Sequence, residues 1–144
     1  MAKFTTTEDY YKDTEYFCQF NNNPTYKEGK RWHKGDCVIR ALALAADIKW
    51  IEAFDLLVEN ARKTFDVPNC KTNYHTILEN LGFTYHGIKA QKGKKRMTIE
   101  DFCKQHRKGR FFVDVANHCT AVVDGVCYDQ WNPANKCVYA YYEF

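Results

Sequence analysis

Three side chains of this 144-residue sequence could together carry out nucleophilic chemistry: Cys37, His118 and Asp129. The segment GDCVIRALALAA predicts a helix over residues 37–46, with Asp36 as its N-cap and Cys37 in its first turn. The unpaired N–H groups and the dipole of a helix start favour a thiolate, which lowers the pKa of a cysteine and makes it a nucleophile. Such a thiolate needs a partner base, most often a histidine.

The dipeptide Asp124-Gly125 predicts a two-residue hairpin, and its register brings His118 to the same sheet face as Asp129 and Trp131. Asp129 is then the diagonal neighbour of His118, near enough to accept a hydrogen bond from the imidazole. The predicted cross-strand pairs are Val123 with Val126, Val122 with Cys127 and Ala121 with Tyr128.

The three residues therefore match a nucleophile, a general base and an orienting group. Asp129 would fix the tautomer of His118 and stabilise the imidazolium. Asn132 is the alternative third member, provided that the backbone bends after its strand. Trp131, opposite His118, is expected to shield the His–Asp pair from water.

The seven cysteines do not form a disulfide framework or a zinc-binding pattern. Their number is odd and no CxxC occurs, so we expect reduced thiols that mostly fill apolar positions. By strand parity Cys119 belongs to the core, whereas Cys127 shares the face of His118 and could lie behind the catalytic pair. His33 is an alternative base because it is close to Cys37 in sequence. A zinc site built from Cys37, His118, Cys127 and His33 has no supporting spacing motif.

The remaining patterns predict an α+β chain, in which helices precede an antiparallel sheet. An apolar stripe predicts a second helix, which Asp47 would cap, and Thr98 with Asp101 resembles a capping box. Predicted helices cover 8–17 (capped by Thr7), 37–46, 48–64, 71–81 and 99–106, a structured loop covers 19–35, and predicted strands cover 83–88, 110–116, 118–123, 126–131 and 137–143. The stripe consists of Trp50, Ile51, Phe54, Leu57, Val58 and Ala61.

Composition excludes several functional classes. The chain is 45% hydrophobic and 27% charged, which is typical of a single globular domain over 1–144 and excludes disorder. We divide it into 1–34 (helix and loop), 35–82 (helices) and 83–144 (mostly antiparallel sheet). The polar start and the absence of a long apolar run predict a cytoplasmic protein without membrane contact. A net charge of +3 does not favour a nucleic acid as partner, and the basic segment 89–96 is expected to be a solvated loop.

A cysteine on a buried helix, followed by His and Asp on an antiparallel sheet, resembles the papain-like cysteine peptidase superfamily. The segments QFNNNP, GDCVIRALA and NHCTAVVDGVCYDQWNP also resemble a bacterial and prophage protein family with the motifs GDCVIRA and HxxxVVDGxxYDxW. The resemblance covers most of the chain from Gln19 onwards. Papain-like membership implies that Cys37 is the nucleophile, His118 the base and Asp129 the third member, without a cofactor or a metal.

The sequence departs from papain-like peptidases before Cys37, where these enzymes usually carry a Gln that donates to the oxyanion. No Gln lies among residues 31–36. Trp32, His33, Gln19 or an Asn of 21–23 could supply the second donor, and losing such a donor typically costs about 10²–10³ in rate.

The expected function is a peptidase or isopeptidase that acts through an acyl-enzyme on a peptide or protein substrate. The alternative is a weakly active or inactive papain-like fold that binds a protein, such as a phage or mobile-element factor that engages a host protein.

Overall fold

In the computed structural model of the chain, the backbone of residues 3–6 and the whole of residues 35–144 are described. The elements are β1 (Lys3–Thr6), α1 (Cys37–Ala46), α2 (Trp50–Thr64), α3 (Lys71–Asn80), β2 (Thr84–Gly87), α4 (Ile99–Gln105), β3 (Arg110–Val115), β4 (His118–Val123), β5 (Val126–Asp129) and β6 (Val138–Glu143). The described chain is therefore α+β, as predicted. The predicted helix over 8–17 and nearly all of the loop over 19–35 lie outside the described residues.

The six described strands form one sheet in the order β1-β5-β4-β3-β6-β2. Every pair of neighbouring strands from β5 to β2 in this order is antiparallel, whereas β1 runs parallel to β5. Strand β1 was not predicted, because four residues of mixed polarity carry no strand pattern. Its pairing places Thr6 beside Asp129 at the end of β5.

The predicted hairpin is confirmed in its turn and its register. Val123 pairs with Val126, and the two further predicted pairs follow in the same register. Asp124 and Gly125 both have positive φ, at 49° and 74°, as this kind of two-residue turn requires. Strand β5 ends at Asp129, two residues earlier than predicted.

Helix α1 has the predicted limits, but its flanking residues act differently from the prediction. Asp36 is the N-cap residue of α1, as predicted, but its side chain makes no capping hydrogen bond. It accepts instead from the indole Nε1 of Trp50 at 3.0 Å. Asp47 was expected to cap the second helix, yet it ends α1 with a left-handed φ of 56°.

Helix α2 begins at Trp50, later than predicted, and its buried face differs from the predicted stripe. Ala53, Leu57 and Ala61 are buried, whereas Ile51 and Phe54 are exposed. The predicted stripe placed large side chains, such as those of Ile51 and Phe54, in the core. In the folded chain the small Ala53 allows α2 to approach α1 closely, and Phe54 stacks outside on Trp50.

Helix α4 begins with the predicted capping box. The Thr98 hydroxyl accepts from the Asp101 N–H at 3.2 Å, and the Asp101 carboxylate accepts from the Thr98 N–H at 3.0 Å. This reciprocal pair satisfies two donors of the helix start. The prediction is confirmed, with Asp in place of the more common Glu or Gln.

The sheet carries one apolar cluster on each face, and the two clusters follow strand parity. Cys119, Ala121 and Phe112 pack with α1 and α2, whereas Val122, Cys127 and Val113 pack with α4. Helix α1 is therefore held against the middle strands of the sheet, and its first residue lies beside the start of β4. Within residues 35–144, none of the helices has the length and apolar character needed to cross a membrane.

Candidate active site

The fold brings the three predicted catalytic residues together from three separate elements. Cys37 is the first residue of α1, His118 is the first of β4, and Asp129 is the last of β5. Two of these positions are fixed by the hairpin, and the third by the packing of α1 on the sheet. The alanines and leucines over residues 41–45 of α1 are almost completely buried, which allows this close approach.

His118 and Asp129 form a short, shielded hydrogen bond. Their Nε2 and Oδ2 atoms are 2.6 Å apart, and the Asp129 side chain is 2% exposed. Because Nε2 is engaged by the carboxylate, Nδ1 is the ring nitrogen left to meet the Cys37 thiol. Asp129 Oδ1 accepts from the backbone N–H of Gln130 at 2.7 Å, which fixes the orientation of the carboxylate.

The protonated form of His118 is stabilised by its two partners. Burial on its own disfavours the imidazolium, but the hydrogen bonds to Asp129 and Cys37, together with their negative charges, raise the pKa of His118 to about 9. The imidazole of His118 is therefore positively charged at neutral pH, with a proton on each ring nitrogen. A charged imidazolium beside a thiol is the arrangement that activates cysteine nucleophiles.

Cys37 is an acidic thiol in this environment, with a pKa lowered to about 4. The largest contribution is a hydrogen bond with the Cys119 side chain, and burial opposes it. The hydrogen bond and the charge of His118 lower the pKa further, as does the backbone N–H of Cys119. Cys37 is thus a thiolate across the neutral range, held between His118 and Cys119.

Cys119 is buried, as its strand parity predicts, but it also contacts the nucleophile, which the sequence analysis missed. Cys119 and His118 point to opposite sides of the sheet, and both reach Cys37 because α1 begins beside the start of β4. The contact with Cys37 is the largest of the effects that raise the pKa of Cys119, followed by burial. Cys119 therefore remains a thiol while Cys37 ionises.

Asp114 extends this network away from Cys37. Its Oδ1 accepts from the Tyr74 hydroxyl at 2.8 Å and lies 3.3 Å from the Cys119 sulfur. Its Oδ2 is 3.6 Å from the Lys71 ammonium. The available signal in the sequence was the single acid within the apolar strand RFFVDV, because a carboxylate at a core position must find partners.

A cavity of about 600 Å³ opens beside the nucleophile. Residues from α1, α3, β3, β4 and β6 line it, among them Cys37, Lys71, Tyr74, Asp114 and His118. The space is comparable with the binding cavities of enzymes that act on small or extended ligands. A ligand in this cavity would lie against Cys37 and His118.

Trp131 packs on the imidazole, with 4.7 Å between the ring centroids. This is the place predicted for it from the hairpin register. Asn132 is not brought to His118: it is exposed, and its side-chain oxygen accepts from the N–H of Ala134 at 3.1 Å. The geometry therefore favours Asp129 over Asn132 as the partner of the imidazole.

Arg40 lies under the site and was not singled out from the sequence. Its side chain is 4% exposed, 2.9 Å from Asp36 Oδ1 and 3.8 Å from Asp129 Oδ1. Gln130 Nε2 also approaches Asp36 Oδ1 at 3.5 Å. An arginine within the apolar run CVIRALALAA was the signal in the sequence, since a buried guanidinium requires acidic partners.

The other predicted site residues fall into two groups. Gln19, Trp32 and His33 lie outside the described residues. Cys127 is buried behind the pair, 3.4 Å from the Thr120 hydroxyl, and burial raises its pKa strongly. In the part of the chain that the structure describes, no group of three or more His, Cys, Asp or Glu side chains is arranged to hold a metal ion.

A comparison with protein-family models, curated proteins and solved structures gives no match for this chain.

Proposed function

We propose that the chain is a papain-like thiol hydrolase that cleaves a peptide, isopeptide or related amide bond. The observation that supports it best is the contact of Cys37 with a His118 whose Nε2 is 2.6 Å from the buried Asp129 carboxylate. An acidic thiol, a protonated imidazole and an orienting carboxylate are the three groups that acyl transfer through cysteine requires.

The reaction follows from the protonation states of the two partners. The Cys37 thiolate attacks the substrate carbonyl, and the bond between carbon and sulfur forms while the carbonyl oxygen becomes negative. The His118 imidazolium gives its proton to the leaving nitrogen, so the amine departs and an acyl-enzyme remains. Neutral His118 then takes a proton from water, whose oxygen attacks the thioester and releases the acid and the Cys37 thiolate.

The start of α1 supports the developing oxyanion. The N–H groups in the first turn of a helix have no partner within the helix, and that of Cys37 lies closest to the reacting sulfur. Trp131 limits the access of water to the imidazole, which strengthens the charge interactions beneath it. The cavity beside Cys37 provides space for the acyl portion of the substrate.

The first test is the reactivity of the thiol. Iodoacetamide at mildly acidic to neutral pH should alkylate Cys37 much faster than the other six cysteines, as read by peptide mass spectrometry. His118→Ala should slow this alkylation strongly, whereas His86→Ala, a change at a surface histidine that pairs with Glu143, should not. Equal rates at all seven cysteines would exclude an activated Cys37.

The second test separates a hydrolase from a binding module. A panel of peptide and isopeptide amides is incubated with the protein and with Cys37→Ala, and the acyl-enzyme is trapped by acid quenching. Cleavage and an acyl adduct on Cys37, both absent from the variant, support the hydrolase. Tight binding of a peptide without any adduct, at equal affinity in the variant, would favour the binding module instead.

A further inference from the structure

Arg40 is placed to act on the nucleophile through Asp129 and His118. It occupies the position three residues after Cys37 in α1, and its guanidinium contacts two carboxylates, from Asp36 and Asp129. Both carboxylates are buried, at 8% and 2% exposure of the residues. Isolated charges at such depth are strongly disfavoured, so the three groups depend on one another.

The two oxygens of Asp129 have different tasks. Oδ2 meets His118, while Oδ1 faces Arg40 and accepts from the Gln130 N–H. A guanidinium has a planar, forked set of donors and can hold two carboxylates at once, which a lysine ammonium does less well. At 3.8 Å the Arg40 guanidinium attracts the Asp129 carboxylate by charge, and this attraction adds to the orientation that the Gln130 N–H sets.

We propose that Arg40 is a positioning residue of the site, which holds the Asp129 carboxylate toward His118 and is itself anchored by Asp36. Asp36 is in turn fixed by the Trp50 indole at 3.0 Å. The proposal rests on the proposed function, since Asp129 needs to be positioned only where His118 serves Cys37.

Removing the charge of Arg40 should make the Cys37 thiolate harder to form. The charged or titratable groups around Asp129 are His118 from β4, Arg40 from α1 with Asp36 behind it, and Cys127 on β5 itself. Without the guanidinium, the Asp129 carboxylate is held less firmly toward His118 and supports the imidazolium less well, and one positive charge near Cys37 is lost. Both changes shift the ionisation of Cys37 to higher pH, and one nearby charge typically moves a pKa by about 1–3 units.

The experiment follows the ionisation of Cys37 directly, by ultraviolet absorbance of the thiolate and by the pH dependence of iodoacetamide alkylation. Arg40→Met should raise the pH midpoint of Cys37 ionisation by about one unit or more. Alkylation of Cys37 should then be about tenfold slower at pH values below that midpoint. Arg40→Lys should give an intermediate midpoint. Asp36→Asn removes the charge that anchors Arg40 but leaves the Arg40–Asp129 contact, so it should raise the midpoint less than Arg40→Met does.

The double variant Asp36→Asn with Arg40→Met separates positioning from simple charge balance. If Arg40 served only to neutralise Asp36, this variant would regain the original midpoint and the proposal would be wrong. The proposal requires that the midpoint stay raised. Circular dichroism and thermal unfolding verify the fold of each variant. If Arg40→Met does not fold, Arg40→Lys decides, and a midpoint equal to that of the unchanged protein overturns the proposal.

The outcome is distinguishable from failure of the proposed function. An unchanged protein in which Cys37 titrates like an ordinary thiol contradicts the hydrolase itself. An acidic Cys37 that does not respond to Arg40→Met contradicts only the role of Arg40.

Discussion

The sulfur of Cys119 lies 3.3 Å from Asp114 Oδ1, and the same thiol forms a hydrogen bond with Cys37. A thiol has one proton, so Asp114 and the Cys37 thiolate compete for it. The Tyr74 hydroxyl already donates to Asp114 Oδ1 at 2.8 Å. Asp114 therefore keeps the Tyr74 hydroxyl as a hydrogen-bond donor when the S–H group of Cys119 points to the Cys37 sulfur.

Removing the thiol of Cys119 should raise the pKa of Cys37 above about 4, because the hydrogen bond with Cys119 makes the largest contribution to lowering it. A hydrogen bond to a charged group is worth about 1.5–3 kcal/mol, which corresponds to roughly 1–2 pH units. We therefore expect the alkylation midpoint of Cys37 in Cys119→Ala to rise by that amount. Cys119→Ser retains an O–H donor and should show a smaller increase.

Cys103→Ala is the matched control for this prediction, because Cys103 is a buried thiol in the cluster on the opposite sheet face. It should leave the Cys37 midpoint unchanged. An unchanged midpoint in Cys119→Ala as well would show that Cys119 only fills space.

Hydrolysis should depend on pH as a bell-shaped curve. Activity should rise as Cys37 loses its proton, with a pKa of about 4, and fall as His118 loses its own, with a pKa of about 9. The product of the two protonation states is largest between these values. Measuring kcat/KM across this range with one amide substrate tests the assignment, and a single rising limb near pH 8.5, typical of a free thiol, would contradict it.

Asp129→Ala should shift the basic limb of that curve to lower pH. Burial alone disfavours the charged imidazolium, and the hydrogen bond and charge of Asp129 counteract it, so the pKa of His118 should fall below about 9. We expect a loss of about 10–100-fold in kcat/KM, the value of one charge-assisted hydrogen bond.

Asp129→Asn keeps an acceptor oxygen without its charge and should lose less activity than Asp129→Ala. Asp55→Asn, at an exposed position of α2, serves as the control and should leave the curve unchanged. If the basic limb does not move in Asp129→Ala, Asp129 does not support the His118 imidazolium and its assignment to the site is wrong.

Replacing Trp131 by alanine should weaken catalysis moderately. Its ring lies 4.7 Å from that of His118, and aromatic contacts of this kind are worth about 0.5–1.5 kcal/mol. We expect kcat/KM to fall by up to about tenfold, with a smaller loss in Trp131→Phe. If kcat/KM is the same in Trp131→Ala and in the unchanged protein, the shielding of His118 by Trp131 does not contribute to catalysis.

The corrected face of α2 can be tested by stability. Leu57 is fully buried and Phe54 is 36% exposed. Leu57→Ala should lower the free energy of unfolding by about 2–5 kcal/mol, and Phe54→Ala by less than about 1.5 kcal/mol, the value of its stacking on Trp50. Urea denaturation of both variants gives the comparison, and a larger loss in Phe54→Ala would restore the predicted stripe.

The hairpin that carries His118 and Asp129 could be predicted because its determinants are local. The turn residues Asp124 and Gly125 set the register, and the period of two then decides which side chains share a face. The same locality explains the correct limits of α1 and the capping box of Thr98.

The contacts of Arg40 and Cys119 could not be predicted from local pattern. They depend on how α1 lies across the sheet, and no turn or period encodes that placement. The parity rule assigned Cys119 to the far face correctly, but it carries no information about which helix end approaches that face. Likewise, β1 joins the sheet only through its distant partner β5.

The acidity of Cys37 depends on the assembled fold, because the hydrogen bonds that lower its pKa come from His118 and Cys119. Its two main partners, His118 and Cys119, follow about eighty residues later in the chain. Before β4 has joined the sheet and α1 has packed on it, Cys37 lacks both of these partners, and we expect the reactivity of an ordinary thiol. The rate at which Cys37 is alkylated therefore reports when β4 has joined the sheet and α1 has packed on it, so folding of the chain can be followed at this one side chain.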